Sequence, residues 1–271
     1  TFVLVGAVAA LAGDDPFDFG IDGAEPAGED RPAATSDAST PDYLAALALQ
    51  RKGKWTQAQK AVEKLLATYP NTVHRPDIDL RFGENALLGV EPLRIGGPSA
   101  RRIDVAFMGD GFVLTSKEQK QLGDWAELCL KVLFADAAYE EYVDYFNFHH
   151  VRLASAEEGV DELLSPEEKA KIDERNKRRR KDKQYDWNTA LDCKAAGPQG
   201  QVVSDRDLVY KWLAAADRDT PGVGGDALVI VFAKFGKLGM GGGGIANCGR
   251  PDKSVTVHEF GHAFVGLLDE Y

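Results

Sequence analysis

The chain has 271 residues, 44% of them hydrophobic, with 43 acidic against 32 basic side chains and a formal net charge of -11. That length exceeds one typical domain, and the apolar share is enough to bury a substantial core. The acidic balance argues against nucleic acid as a partner, because grip on a phosphate backbone rests on clustered cations.

Residues 1–12, TFVLVGAVAALA, form an apolar run of signal-peptide length ending in Ala10-Leu11-Ala12, an A-x-A type cleavage site. They read as a partial signal peptide and predict a secreted or periplasmic protein. The rival reading is a clipped lipid-facing anchor or the tail of a buried strand. The run is too short to span a bilayer as a helix, and no other segment is apolar enough to cross one. Residues 13–40 are acidic and rich in Gly, Ala, Pro and Asp, with few large apolar side chains, and predict a disordered linker.

The composition then changes. PDYLAALALQRKGKWTQAQKAVEKLLATYPNT, at 41–72, predicts two short helices broken at Gly53, with Trp55, Ala58, Leu65 and Pro70 close to tetratricopeptide positions. One such repeat cannot bury its own apolar face. The hairpin is therefore expected to dock on the following domain or on another subunit rather than to form a peptide-binding array. His74 lies in the linker that follows, with no partner legible in the sequence.

From about residue 75 strands and helices alternate. ARRIDVAFMGDGF predicts a buried strand ending at Gly109-Asp110-Gly111, with Asp110 read as a turn residue. A helix follows over KEQKQLGDWAELCLKVLFADAAYEEY, then a strand over FNFHHVRLAS. His149 and His150 are neighbours on that strand and point to opposite faces, so they read as ordinary strand histidines. The basic run around Arg178, Arg179 and Arg180 sits in a Glu- and Lys-rich helical stretch and reads as a solvated face. DRDLVYKWLAAADR predicts another helix and DALVIVFAKF a nearly all-apolar strand. Together they predict an α/β fold: a mixed, mostly parallel sheet packed by helices, preceded by the helical hairpin.

The glycine-rich GMGGGGIANCG at 239–249 lacks the lysine and hydroxyl residue of a phosphate loop. It is expected either to be a flexible connection or to lead to an exposed sheet edge near Ile245, Ala246 and Asn247, where an extended peptide could add as a strand. Of the three cysteines, Cys193 and Cys248 lie in loop-like segments and are expected to be able to form a disulfide, whereas Cys129 falls in an apolar helical pattern and reads as a buried free thiol.

The last fourteen residues, HEFGHAFVGLLDEY, carry the chemistry. His258, Glu259 and His262 form an H-E-x-x-H pattern. On a helix, residues four apart share one face, roughly 5–6 Å between Cβ atoms, so both imidazoles can meet one zinc ion. Glu259 lies beside that face, where it can deprotonate a water attacking a carbonyl. Val255, Val257, Phe260, Ala263 and Phe264 wrap the helix in apolar side chains. Gly266 offers a helix end from which Asp269 can swing back as third ligand; Glu270, or a residue beyond Tyr271, competes for that position.

These residues, with RIDVAFMGDGF at 102–112 and GMGGGGIANCG, resemble the bacterial immunoglobulin A metallopeptidase family over roughly residues 75 to 271. The resemblance implies a zinc endopeptidase with a metzincin-like catalytic domain, one catalytic zinc held by His258, His262 and the acidic residue Asp269, and Glu259 as catalytic glutamate. The wider metzincin pattern places glycine three residues after the second histidine and the third ligand three later; here Gly266 and Asp269 each fall one position further along. Family chains continue past this motif, so the domain is expected to be C-terminally incomplete. The expected function is hydrolysis of a protein or peptide substrate; the alternatives are a noncatalytic surface module with a vestigial zinc site and a zinc hydrolase acting on cell-wall amide crosslinks.

Overall fold

The structure is a computed structural model that describes residues 37–163, 165–178, 186–196 and 200–269. Residues 1–36, which hold the expected signal peptide and most of the expected linker, lie outside the described residues, as do Arg179, Arg180, Glu270 and Tyr271.

Three helices open the described chain: α1 (Thr40–Arg51), α2 (Trp55–Thr68) and α3 (Arg75–Phe82). The α1–α2 break falls at Gly53, whose φ of 68° is a left-handed turn conformation open to glycine without penalty. The last residues of the expected linker belong to this unit: Asp37 accepts hydrogen bonds from the Ser39 and Val73 amides at 2.9 and 3.0 Å. Those donors hold its carboxyl low, at about 2. His74 finds partners in Thr40 Oγ1 at 2.9 Å and in the Tyr43 ring stacked 4.3 Å away. Tyr43, Leu47, Val62, Leu65 and Ile78 bury one another between the helices.

The unit docks on its own chain. Gln50 Nε2 donates to the carbonyls of Arg81 and Leu87 at 2.9 and 3.3 Å, and Trp55 packs on Ala86, Leu88 and Ala154. Buried Arg81 pairs with Asp77 at 2.9 Å and with Asp219 across the interface.

The main sheet runs β1 (Ala86–Ile95), β2 (Ile103–Asp110), β3 (Phe146–Ala154), then β7 (Leu228–Ala233), β8 (Met240–Gly242) and β9 (Ile245–Cys248), in the spatial order β1-β3-β2-β7-β9-β8. The four inner strands are parallel, and β1 and β8 are antiparallel edges. A mixed α/β fold around a mostly parallel sheet is therefore what the chain adopts. A small second sheet joins β4 (Asp161–Glu162), β5 (Lys194–Ala196) and β6 (Gln201–Val203). Strand β1, ALLGVEPLRI, carries no strand signal because glycine, proline and charges interrupt it. An edge tolerates all of these, since Pro92 has no second neighbour to bond.

Side-chain alternation along β2 builds two cores. Ala106 and Met108 face α6 (Arg206–Asp219), with Trp212 and Leu213; Val105 and Phe107 face α4 (Ser116–Phe134), with Leu122, Ala126 and Leu133. Each large side chain so buried contributes about 1.5–3 kcal/mol of transfer free energy. Helix α5 (Pro166–Arg178) lies outside both cores, and α7 (Lys253–Val265) packs on the α4 side through Phe260.

The disulfide that the sequence left open between Cys193 and Cys248 is not formed. Cys193 lies in the α6-side core and Cys248 in the α4-side core, so the sheet stands between them, and all three cysteines are buried free thiols. The segments that look like loops in sequence are drawn into the interior by Asp110 and by strand pairing of β9.

His149 and His150 do point to opposite faces of β3. His149 bonds buried Asp104 at 3.0 Å, while burial, followed by the charge of Arg152, pushes the His150 imidazole down to about 4. A histidine whose folded pKa lies below its unfolded value near 6.5 leaves the unfolded chain binding the extra proton between those limits. Stability is therefore expected to fall as pH drops from about 6.5 to 4, by on the order of 3 kcal/mol. Denaturant melts of the native chain and of His150→Gln across that range check this; the variant's curve should be flatter.

Candidate metal centre

Helix α7 is set by its ends. Asp252 caps the N-terminus, accepting from the Ser254 amide at 3.1 Å and more loosely from Val255. Gly266 ends it with φ 64° and ψ 32°, and the Gly266 and Leu267 amides close back onto the carbonyls of His262 and Gly261. Phe260 anchors the buried face, with Tyr139 and Phe264 each 5.5 Å away ring to ring.

The left-handed turn returns the chain over the exposed face. Asp269 Oδ1 lies 3.1 Å from His258 Nε2 and 3.2 Å from His262 Nε2, and the two Nε2 atoms are 3.0 Å apart. These three ligand atoms form the one group of metal-ligating type among the described residues. The donor set fits zinc: two imidazole nitrogens and a carboxylate oxygen, mutually spaced near the about 3.3 Å that tetrahedral bonds of about 2.0–2.1 Å require. His258 and Asp269 are exposed, so the group opens to solvent. The His262 Nδ1–H donates to the Leu267 carbonyl, which fixes the tautomer and leaves the Nε2 lone pair facing the other two donors.

Glu259 points elsewhere. It is 7% exposed and its carboxyl is shifted up by burial, against the partial opposition of His258, His262 and a hydrogen bond from the Gly241 backbone. The covering element is β8. A Cβ on Gly239 would stand 2.5 Å from Glu259 Cγ, and one on Gly241 would stand 2.2 Å from the Glu259 carbonyl oxygen and 2.9 Å from His262 Cβ. The glycine-rich stretch is thus a close approach of strand to helix. Asn247 holds the hairpin, accepting from the Ser204 amide at 3.0 Å and donating to the Met240 carbonyl at 3.0 Å.

This geometry moves the expected sheet edge. Ile245, Ala246 and Asn247 belong to β9, which is buried between β7 and β8, and the edge beside the histidines is Met240–Gly242. Strand order, which the sequence does not carry, decides that difference.

Other expected polar residues stay apart from the centre. Asp110 is buried and accepts from the Leu191 and Cys193 amides at 2.7 and 2.9 Å and from Thr189 Oγ1 at 2.8 Å, so it organises the segment before β5 rather than only its own turn. The cap at Asp252 and the contact glycines Gly239 and Gly241 were open to sequence reasoning, through an aspartate just before the helix and a glycine run just ahead of the H-E-x-x-H pattern. The Leu267 carbonyl was not, because a backbone atom leaves no trace in residue type.

No helix is long and apolar enough to cross a membrane, among the described residues. Compared with protein-family models and with curated proteins, the chain matches none.

Proposed function

We propose that the chain is a zinc-dependent endopeptidase of metzincin-like architecture, of the kind implied by its resemblance to the bacterial immunoglobulin A metallopeptidases. The observation that carries this reading is the convergence of His258, His262 and Asp269 beside a buried Glu259. The two imidazoles and the carboxylate would hold one zinc ion on the solvent-facing side of the helix. When bound, zinc supplies Lewis acidity toward a carbonyl oxygen and makes a water acidic enough to act as nucleophile near neutral pH.

The chain's own residues supply the rest. Glu259 accepts the proton of the attacking water and delivers it to the leaving amine. Its burial under the glycine-rich stretch keeps it out of the ligand group yet beside it, the position both roles need. Strand β8 is the outermost strand of the sheet, and beside it, where the Gly241 amide already reaches the Glu259 carboxylate, an extended peptide would bring its scissile carbonyl to the histidines. The apolar run at 1–12 supports a secreted or periplasmic location.

Equilibrium dialysis against zinc, followed by incubation with an unstructured protein such as casein with and without a chelator, tests the reading. One zinc per chain and chelator-sensitive cleavage are expected. Zinc binding without cleavage of protein, but with release from peptidoglycan, would favour a cell-wall amidase; zinc binding with neither would favour a noncatalytic module. Asp269→Ala is expected to weaken zinc binding by more than the roughly 10–100-fold that loss of an outer-shell partner costs. Competition with a chromophoric chelator measures it, and unchanged affinity would move the third position to Glu270 or beyond.

A further inference from the structure

Strand β8 packs on Glu259 yet has little of its own to hold it in place. It is three residues long, two of them glycine, and stands at the edge of the sheet with only β9 beside it. Glycines weaken a strand, through chain entropy and through the lack of side chains to pack. Tyr210 ties its turn, the hydroxyl donating to the Gly243 carbonyl at 3.0 Å. The stretch that meets Glu259 is tied by a different group.

Met240 lies between the two glycines that touch that glutamate: Gly239, on which a Cβ would stand 2.5 Å from Glu259 Cγ, and Gly241, whose amide bonds to the Glu259 carboxylate. The Met240 carbonyl accepts from Asn247 Nδ2 at 3.0 Å, while Asn247 Oδ1 accepts from the Ser204 amide at 3.0 Å. A backbone amide can only donate, so Ser204 fixes which end of the side-chain amide faces it and leaves the NH₂ for Met240. Asn247 is 6% exposed, and its two bonds are shielded from competing water. Its backbone carbonyl also backs Gly239, 2.2 Å from where a Cβ would stand. One side chain thus joins β8, β9 and the residue ahead of the Asp205 cap of α6.

We propose that Asn247 is a positioning residue for Glu259: it pins Met240, and through Met240 the two glycines that set where the glutamate side chain lies. Its part in catalysis rests on the peptidase reading, in which Glu259 is the general base. Asn247 touches none of the three ligand residues, so its loss acts on the proton-moving group rather than on the metal. A displacement near 1 Å at such a group costs about 10²-fold in rate.

The zinc-loaded native chain is to be compared with Asn247→Asp, which keeps the shape and the acceptor but loses the donor, and with Gln50→Ala, which removes two buried hydrogen bonds at the opposite edge of the sheet. Hydrogen exchange of the Gly241 amide, read by NMR in protein with isotopically labelled glycine, reports the pinning without any need for activity; turnover of casein reports its use. In Asn247→Asp the Gly241 amide should exchange about tenfold faster. Its kcat should fall by about 10–100-fold with KM and zinc content unchanged. Gln50→Ala should lower the melting temperature and leave both readings at native values, and Asn247→Ala stands in should the aspartate variant fail to fold. Unaltered Gly241 exchange in a folded Asn247 variant overturns the proposal, as does full kcat in that variant or an equal loss in Gln50→Ala. A native chain that cleaves no protein while its Gly241 exchange responds to Asn247 would instead overturn the peptidase reading and leave the tie between Asn247 and Glu259 standing.

Discussion

Replacing Glu259 by alanine is expected to lower peptide hydrolysis by about 10²–10⁴-fold while one zinc per chain is retained. The two halves of that result have separate causes in the structure. The three ligand atoms of His258, His262 and Asp269 gather on the exposed side of α7, whereas Glu259 is turned under β8, so the ion loses no ligand when the carboxylate goes. What is lost is the group proposed to move the proton between water and leaving amine. His262→Ala is the mirror experiment. It removes a ligand and also the imidazole that the Leu267 carbonyl orients, and it should lower zinc affinity by more than about 100-fold. Metal content by atomic absorption, read beside turnover for both variants, checks the pair. Unimpaired turnover in Glu259→Ala would remove its catalytic assignment, and a fully zinc-loaded His262→Ala would remove that residue from the ligand set.

Replacing Gly241 by valine is expected to abolish activity out of proportion to its effect on folding. Its Cβ would stand 2.2 Å from the carbonyl oxygen of Glu259, a helix backbone atom that cannot rotate aside. Strand and helix must part, and overpacking of this kind costs about 1–3 kcal/mol. The same displacement moves Glu259 and His262 relative to any peptide on β8, and a shift near 1 Å costs about 10²-fold in rate. Gly123→Ala is the control: its Cβ enters open space on a helix, where the change should be neutral or stabilising by about 0.4–1 kcal/mol. Thermal melts beside turnover separate the cases. If Gly241→Val kept both stability and rate, β8 would not be packed on the histidine face as described.

Much of this was readable from residue order alone, and the parts that were share a physical character. The inner strands announce themselves because burial on both faces demands unbroken apolar runs, as in LVIVFA of β7, where every residue is buried. The helix that carries His258 and His262 announces itself because an i, i+4 pair of histidines is a local pattern. The parts that were missed depend on neighbours. Strand β1 survives its glycine and proline only because it is an edge, and α3 extends the hairpin because Ile78 completes a core shared with Tyr43 and Leu65. The possible pairing of Cys193 with Cys248 ignored the sheet between them.

The sequence by itself determined what acts within a few residues: helix and strand periodicity, the alternation that makes two cores, the spacing of His258 and His262, and the glycine at 266 that lets the chain turn left-handed. Only the tertiary structure decided which strand is the edge beside the histidines, where Asp269 comes to rest, and which glycines must lack a side chain. Those are contacts between segments distant in sequence or across a reversal of the chain, and residue identity restricts them only through the packing of the whole.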